Sequence, residues 1–229
     1  MTLGTPRVHR RQTGSTNSDA RELALAGAPH GTLVTAGEQL AGRGRNGRRW
    51  EAPPGGALLC SLILRDPPAQ LSLRAGVAVA ETVGERARLK WPNDVQLDGR
   101  KVSGILVEAR PRELWAVLGI GINVAVDLAQ LPPPLQATAG TLGMDGTAIE
   151  PMLERLLAAL ERWVGAPAAE VLDAWRDRDA LCGARVAWNG GAGVATGIDD
   201  AGCLLIDSGG GVTQALDAGE VHLLEHQVI

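Results

Sequence analysis

The stretch KWPNDVQLDGRKVSGILVEAR, residues 90–110, predicts a β-hairpin. Its Asp-Gly pair at positions 98 and 99 is typical of a tight two-residue turn, because both central residues of that turn need a positive φ. The flanking residues predict a strand over about 95–97 and a returning strand over about 102–109. Lys101 therefore lies at the start of the returning strand.

The sequence on both sides of this hairpin predicts a mixture of strands and helices, and hence an α+β fold. Apolar runs predict buried strands over 57–64 and 113–123, with a short strand over 33–36. From residue 181 onward the chain changes to short β-like runs separated by turns, which fit a small β-barrel. Helical spacing predicts helices over about 17–26, 71–88, 149–164 and 168–179.

The composition excludes several classes of protein. The 229 residues are 45% hydrophobic and 21% charged, which is ordinary for a chain that buries a core. The formal net charge of −4 argues against a generally basic nucleic-acid binder. The three cysteines form no CxxC pair, which argues against a disulfide framework and a zinc site. Because no apolar run approaches ~20 residues and the start carries no signal-peptide pattern, we expect no membrane span and a cytoplasmic location.

The run GRGRNGRRW, residues 42–50, places four arginines among three glycines and ends on a tryptophan. Glycine lets the backbone approach a ligand closely, and a guanidinium group can donate two parallel hydrogen bonds to a phosphate or carboxylate. The run therefore predicts a loop that closes over something anionic. Taken alone, it is equally consistent with a solvated basic loop or a nucleic-acid patch.

Of the 22 basic residues, only Lys90 and Lys101 are lysines. A compact, rotatable ammonium can follow a phosphate whose geometry changes during a reaction, which a planar guanidinium does less well. The alternative is that the two lysines have no role in a reaction and were retained by chance at the end of a strand.

Further along, Gly119 and Gly121 remove side chains from one face of a strand, which predicts close approach of a flat ligand. Asn123 ends that strand with an amide.

Five motifs occur in one order along the chain: GSTN at 14–17, EQLAGRGRNGRRW at 38–50, KWPNDV at 90–95, GRKVSGILVE at 99–108 and GIGIN at 119–123. Together they resemble the biotin protein ligase family, of the short type without an amino-terminal DNA-binding domain, so no repressor activity is expected. The resemblance implies a catalytic domain over 1–180, similar to class II aminoacyl-tRNA synthetases, with a mixed β-sheet and helices. It implies an SH3-like β-barrel domain over 181–229.

The resemblance also implies a two-step reaction. Biotin is the substrate, and its carboxylate attacks the α-phosphate of ATP in the presence of Mg²⁺, giving biotinyl-5'-AMP and pyrophosphate. A lysine of a biotin carboxyl carrier protein or domain then displaces AMP. No protein metal site is expected, because Mg²⁺ is bound through the ATP phosphates. Neither DNA nor a membrane is expected as a partner. The resemblance leaves open whether the protein forms a homodimer.

The site residues follow from the same resemblance. Lys101 is expected to contact the biotin carboxylate and the α-phosphate, Arg45 to hold the anionic junction, and Asp94 to orient the acceptor lysine and help take its proton. The biotin-binding positions correspond to Ser15, Thr16, Asn17, Gln39, Arg43, Gly44, Arg45, Lys101 and Gly104. The ATP-binding positions correspond to Arg43, Arg45, Arg48, Arg49, Trp50, Asn93, Lys101 and Asn123.

Simpler roles stay open for several of these residues. Ser15, Thr16 and Asn17 are also good helix caps. Trp50 is either a flat surface for adenine or a hydrophobic anchor, and Asp94 is equally a turn residue that satisfies local amides.

The chain departs from the family pattern at three positions. Asn46 stands where a basic residue is frequent, and Ala57 and Leu59 stand where an asparagine and a tyrosine are common, which predicts a reshaped biotin pocket. Two other functions remain alternatives. One is a lipoate or octanoate ligase or transferase, which shares the fold, and the other is a nonenzymatic anion- or RNA-binding module that uses the arginine loop.

Overall fold

The computed structural model describes residues 2–224 and confirms the predicted α+β class. A seven-stranded mixed sheet with flanking helices is followed by a five-stranded antiparallel sheet. The division at residue 180/181 stays a prediction, and the end of the predicted second domain, residues 225–229, lies outside the described residues, as does Met1.

The first sheet has the spatial order β1-β2-β3-β7-β6-β5-β4, in which β1 and β2 are parallel and the other neighbours antiparallel. Its strands are β1 (Arg7–Arg10), β2 (Leu33–Ala36), β3 (Ala57–Arg65), β4 (Arg88–Lys90), β5 (Asp94–Leu97), β6 (Arg100–Arg110) and β7 (Trp115–Asn123). The second sheet contains β8 (Arg185–Trp188), β9 (Gly191–Ile198), β10 (Leu204–Asp207), β11 (Thr213–Leu216) and β12 (Val221–Leu223). The helices are α1 (Thr16–Leu25), α2 (Leu71–Val83), α3 (Pro133–Gln136), α4 (Ile149–Gly165) and α5 (Ala168–Arg176).

The predicted hairpin is confirmed. Asp98 and Gly99 have φ values of 51° and 75°, which are the positive angles that the two-residue turn requires. The one predicted helix that is clearly too long is α2, which ends at Val83 and not near residue 88. Gly84 follows with a φ of 125°, a backbone conformation that ends the helix.

The two faces of the first sheet carry different layers. On one face, α2, α4 and α5 cover a large apolar cluster that includes Leu62, Leu118 and Ile120. On the other face, α1 packs its Ala20 and Ala24 against the part of the sheet that contains Val117. Since side chains alternate along a strand, the residues at 119, 121 and 123 share this second face with Val117.

The five-stranded sheet lies against the β4 end of the first sheet. The indole N–H of Trp91 donates at 3.1 Å to Gly202 O, between β9 and β10. The backbone N–H of Leu89 donates at 2.8 Å to Arg178 O, in the segment that joins α5 to β8. Apolar residues of the second sheet, such as Val186 and Leu204, belong to the same buried cluster as α2 and α4. Across residues 2–224, the helices are all too short or too polar to span a membrane.

Part of the proline-containing segment 127–143 packs onto the second face of the first sheet. Leu131 is buried in a small cluster with Ala57 and Leu59, two of the positions that depart from the family pattern. The segment is held further by the side-chain N–H of Asn123, which donates to Gly140 O at 2.8 Å. Small or aliphatic residues on β3 therefore accommodate this segment.

Candidate active site

The start of α1 forms a polar network with the strands below it. Thr16 donates to Gln39 Oε1 from both its backbone N–H, at 2.7 Å, and its hydroxyl, at 3.0 Å. The hydroxyl of Ser61, on β3, lies 2.8 Å from Thr16 Oγ1 and donates to Asn17 Oδ1 at 2.6 Å. Ser15 occupies the N-cap position, but its side chain makes no capping hydrogen bond within the described chain. The side chains of Thr16 and Asn17 thus serve this network and do not cap the helix.

Side chains of the protein occupy the face that the glycines of β7 leave open. A Cβ atom at Gly119 would lie 1.9 Å from Asn17 Oδ1, and a Cβ atom at Gly121 would lie 2.6 Å from Trp50 Cε2. The sequence predicted a flat ligand against these glycines; in the structure the Trp50 indole takes this position, with the Asn17 amide beside it. Gly104 on β6 contributes to the same surface, because its Cβ would lie 3.0 Å from the Trp50 ring.

The arginine-rich segment folds back on itself as a closed loop. The backbone N–H of Trp50 donates to Gly42 O at 3.0 Å, and that of Gly44 donates to Arg48 O at 2.8 Å. A short 3-10 turn over Arg45–Gly47 forms the tip, with Asn46 in the left-handed region at a φ of 53°. Asparagine tolerates this conformation better than most residues, which gives a local reason for Asn46 at this position.

The two principal cations meet at one turn. Lys101 Nζ lies 2.6 Å from Asp94 Oδ1, and the guanidinium of Arg45 donates to Asn93 Oδ1 at 3.3 Å. Because Asn93 and Asp94 are neighbours in the chain, the two cationic groups are brought to adjacent positions from segments that are far apart in sequence. Lys101 Nζ is also 5.8 Å from the centre of the Trp50 ring, within range of a cation–π interaction.

The other arginines of the loop point in three directions. Arg43 Nη1 lies 3.0 Å from Glu108 Oε1, at the α1 side of the site. Arg49 donates to Leu40 O at 2.7 Å. Arg48 forms an ion pair with Glu220, the residue directly before β12, beside an open groove of about 410 Å³ that Asn46, Arg48, Glu220 and His222 line.

Comparison with known proteins identifies the family. Residues 8–125 match the Biotin/lipoate A/B protein ligase family, and residues 192–224 match the Biotin protein ligase C terminal domain. The chain belongs to this family. The resemblance to biotin protein ligases that the five motifs indicated is thereby confirmed.

Individual relatives align with this ligase-family protein over nearly its full length. Biotin--[acetyl-CoA-carboxylase] ligase of Paracoccus denitrificans is 36% identical, over 92% of this chain and 97% of the relative. The protein of that name from Mycobacterium tuberculosis is 38% identical, over 92% of this chain and 86% of the relative. The structure of biotin protein ligase from Aquifex aeolicus in complex with biotin and ATP aligns with a TM-score of 0.79 and 26% identity, covering 96% of this chain and 99% of that one.

In this ligase-family protein, the predicted site residues lie around one surface, with two exceptions at its margin. Thr16, Asn17 and Gln39 form the polar network. Ser15 precedes them at the start of α1, and Gly44 lies within the arginine loop. Asn123 ends β7 on the same face; its Oδ1 is buried and has no hydrogen-bond partner among residues 2–224. Arg48 and Arg49 are the exceptions, since their side chains are engaged at Glu220 and Leu40.

Sequence reasoning gave no site assignment to four side chains that the structure places in the candidate site or at its edge: Ser61, Lys90, Glu108 and Glu220. Ser61 and Glu108 hold Asn17, and Glu220 pairs with Arg48. The rarity of lysine drew attention to Lys90, which pairs across the β4–β5 ladder with Asp94. Ser61 and Glu220 lie in segments with no local signal of function, and Glu108 ends the GRKVSGILVE motif but was given no role of its own.

Lys90 is a partly buried cation at the edge of the candidate site. Burial lowers its pKa, and the positive charges of Lys101 and Arg48 lower it further, against the opposing effects of Asp94 and Glu220. Lys90, Lys101 and Arg48 therefore lie close enough to repel one another, with Asp94 and Glu220 as the carboxylates that act on Lys90. A group of cations of this kind is suited to an anionic ligand, which would relieve their repulsion.

Proposed function

We propose that this protein is a biotin protein ligase that activates biotin with ATP to biotinyl-5'-AMP and transfers biotin to a specific lysine of a biotin carboxyl carrier domain. The observation that carries the proposal is the convergence of Arg45 and Lys101 on the Asn93–Asp94 turn, next to the uncharged polar network at Thr16 and Asn17. Cations suit the acyl phosphate junction, and neutral donors and acceptors suit the ureido ring of biotin.

In the first step, a carboxylate oxygen of biotin attacks the α-phosphorus of ATP, and the bond from that phosphorus to the bridging oxygen of pyrophosphate breaks. Negative charge accumulates where two anions approach each other, so positioned cations are the main catalytic need. Lys101 and Arg45 are proposed to supply them. Mg²⁺ is proposed to enter with the triphosphate; residues 2–224 contain no cluster of three His, Cys, Asp or Glu arranged around a metal position.

In the second step, the ε-amine of the carrier lysine attacks the acyl carbon of the mixed anhydride. The bond from that carbon to the phosphate oxygen breaks, AMP leaves, and the attacking nitrogen loses a proton. Asp94 is proposed to orient this amine and to accept the proton. Its position beside Lys101, at 2.6 Å, supports a role close to the reacting acyl group.

The binding assignments follow the same geometry. The ring of biotin is proposed to contact Ser15, Thr16, Asn17 and Gln39, and its carboxylate Arg43, Gly44, Arg45, Gly104 and Lys101. Trp50, Asn93 and Asn123 are proposed to contact the nucleotide, with Arg48 and Arg49 reaching the triphosphate. This last assignment requires Arg48 to leave Glu220 when ATP binds.

The decisive experiment is exchange of labelled pyrophosphate into ATP by the purified protein. The expected result is Mg²⁺-dependent exchange that biotin stimulates and lipoate does not, together with a mass gain of one biotinyl group on a carrier domain. Stimulation by lipoate or octanoate alone would identify the lipoate-ligase relative. Salt-sensitive RNA binding without any adenylate would identify the nonenzymatic alternative. A carrier domain as the partner and a cytoplasmic location are parts of this proposal.

A further inference from the structure

Glu108 lies at the boundary between the polar network and the arginine loop. It is on β6, where the ladder pairs Gly104 with Gly121 and Glu108 with Val117. Because positions 104 and 108 are an even number of residues apart, the Glu108 side chain lies on the same face of the sheet as the Trp50 surface. The Glu108 side chain is 25% exposed to solvent.

The first contact of Glu108 orients an amide. Asn17 Nδ2 donates to Glu108 Oε2 at 2.8 Å, while Asn17 Oδ1 accepts from the Ser61 hydroxyl at 2.6 Å. The amide is therefore held at both ends. Rotation by 180° would place Asn17 Oδ1 against a carboxylate, so Glu108 selects one of the two amide orientations.

The second contact of Glu108 holds the loop. Arg43 Nη1 lies 3.0 Å from Oε1 and 3.3 Å from Oε2 of the same carboxylate. Glu108 thus connects α1 to the arginine loop through one charged group. A charged acceptor makes stronger hydrogen bonds than a neutral one, and a shared acceptor couples its two partners.

We propose that Glu108 is a positioning residue of the biotin site, which orients the Asn17 amide for the ring of biotin and keeps Arg43 in the closed loop over the adenylate. The proposal rests on the proposed function and deepens it. Glu108 acts through Asn17 and Arg43, so its removal changes binding and retention of the intermediate more than the chemical step.

Two substitutions separate the two contacts. In Glu108→Gln, the amide oxygen can still accept from Asn17 Nδ2, but the side-chain NH₂ then faces Arg43, and the negative charge is lost. We expect biotinyl-5'-AMP to leave this variant about tenfold faster, with the KM for biotin changed less than about threefold. In Glu108→Ala both contacts are lost, so the KM for biotin also rises about tenfold while kcat for adenylate formation changes less.

Glu81 offers a matched control outside the site. Its Oε2 accepts from Arg162 Nη1 at 3.3 Å and from the indole N–H of Trp163 at 2.8 Å, so it too joins an arginine to a neutral donor. Glu81→Gln and Glu81→Ala are expected to leave biotin KM and adenylate release unchanged. Urea denaturation of all four variants measures any loss of folding separately.

A third arm tests the coupling to Arg43. The double variant Arg43→Ala/Glu108→Gln is expected to release the adenylate no faster than Arg43→Ala alone, because the contact has already been removed. A release rate in the double variant that is raised by the product of the two single effects would overturn the inference and leave the proposed function intact. So would release from Glu108→Gln at the wild-type rate. A wild-type protein that forms no biotinyl adenylate would overturn both.

Discussion

The indole of Trp50 lies so close to Gly121 that a Cβ atom there would approach Trp50 Cε2 to 2.6 Å. The ring also lies over Gly104 and within 5.8 Å of Lys101 Nζ. The glycines of β6 and β7 thus allow the tryptophan that ends the arginine loop to lie flat on the sheet. Closure of the loop and the position of the Trp50 ring are therefore linked.

Gly121→Ala is expected to displace Trp50 and to destabilise the fold by about 1–3 kcal/mol, as overpacking typically does. Adenylate formation should fall with it. Urea denaturation and pyrophosphate exchange measure the two effects. Gly165→Ala is the control, because within residues 2–224 nothing lies within 4 Å of a Cβ built there.

The clash itself can be tested by a double-mutant cycle. If overlap with the indole causes the loss of stability, Trp50→Ala should remove most of the additional cost of Gly121→Ala. Strictly additive losses would show that the methyl group acts elsewhere.

Lys101→Ala should slow adenylate formation about 100- to 1000-fold, because it removes the cation proposed to lie near the developing negative charge. The free energy of unfolding should change by less than about 1 kcal/mol, since the side chain is partly exposed and its ion pair contributes little stability. Single-turnover formation of labelled adenylate and urea denaturation measure these quantities. An adenylate rate equal to that of the wild type would remove Lys101 from catalysis.

Arg45→Ala should accelerate escape of the adenylate by about tenfold or more, since it loses the charged group proposed to hold the intermediate. The measurement is the release of labelled biotinyl-5'-AMP from the preformed complex in a chase with unlabelled ligand. The control is Arg112→Ala, which lies in the exposed turn between β6 and β7. Equal release from both variants and the wild type would contradict the closed-loop role of Arg45.

The contact between Arg48 and Glu220 allows a charge-swap experiment. Arg48→Glu should raise the KM for ATP about tenfold or more, because it replaces the cation proposed to bind the triphosphate by an anion. The double variant Arg48→Glu/Glu220→Arg restores an ion pair between the loop and the second sheet but not the cation in the loop. Full recovery of ATP affinity in the double variant would mean that Arg48 only joins the two sheets.

A pH dependence is expected from Asp179. Burial raises the pKa of its carboxyl above 3.8, although backbone N–H groups of Leu181 and Cys182 lower it. The folded protein therefore keeps this proton to a higher pH than the unfolded chain does. Ionisation of Asp179 costs stability as the pH rises from the unfolded pKa through the folded pKa.

Asp179→Asn removes this cost and keeps an oxygen for the Leu181 N–H, which donates to Asp179 Oδ1 at 2.7 Å. The variant should be more stable than the wild type near neutral pH, and the difference should shrink as the pH falls toward 3.8. Urea denaturation at a series of pH values measures it. A difference that is independent of pH would contradict this origin.

Local patterns in the sequence were enough for most elements of the fold. The Asp98–Gly99 turn and the apolar runs of β3 and β7 depend on residues that are neighbours in the chain, so their conformations follow from local preferences. The five motifs likewise indicated the family and the α+β class. The end of α2 was missed, because its helical spacing continues past Gly84 while the backbone does not.

The arrangement of the site was decided by tertiary structure alone. Asn17 meets Glu108 across 91 positions of the chain, and Arg48 meets Glu220 across 172. Such contacts depend on strand order and register and on how the two sheets pack, and no local preference encodes them. The sequence by itself therefore determined which chemistry the chain carries, whereas the packing of distant segments decided which charges face each other, because hydrogen bonds and ion pairs act only over a few ångströms.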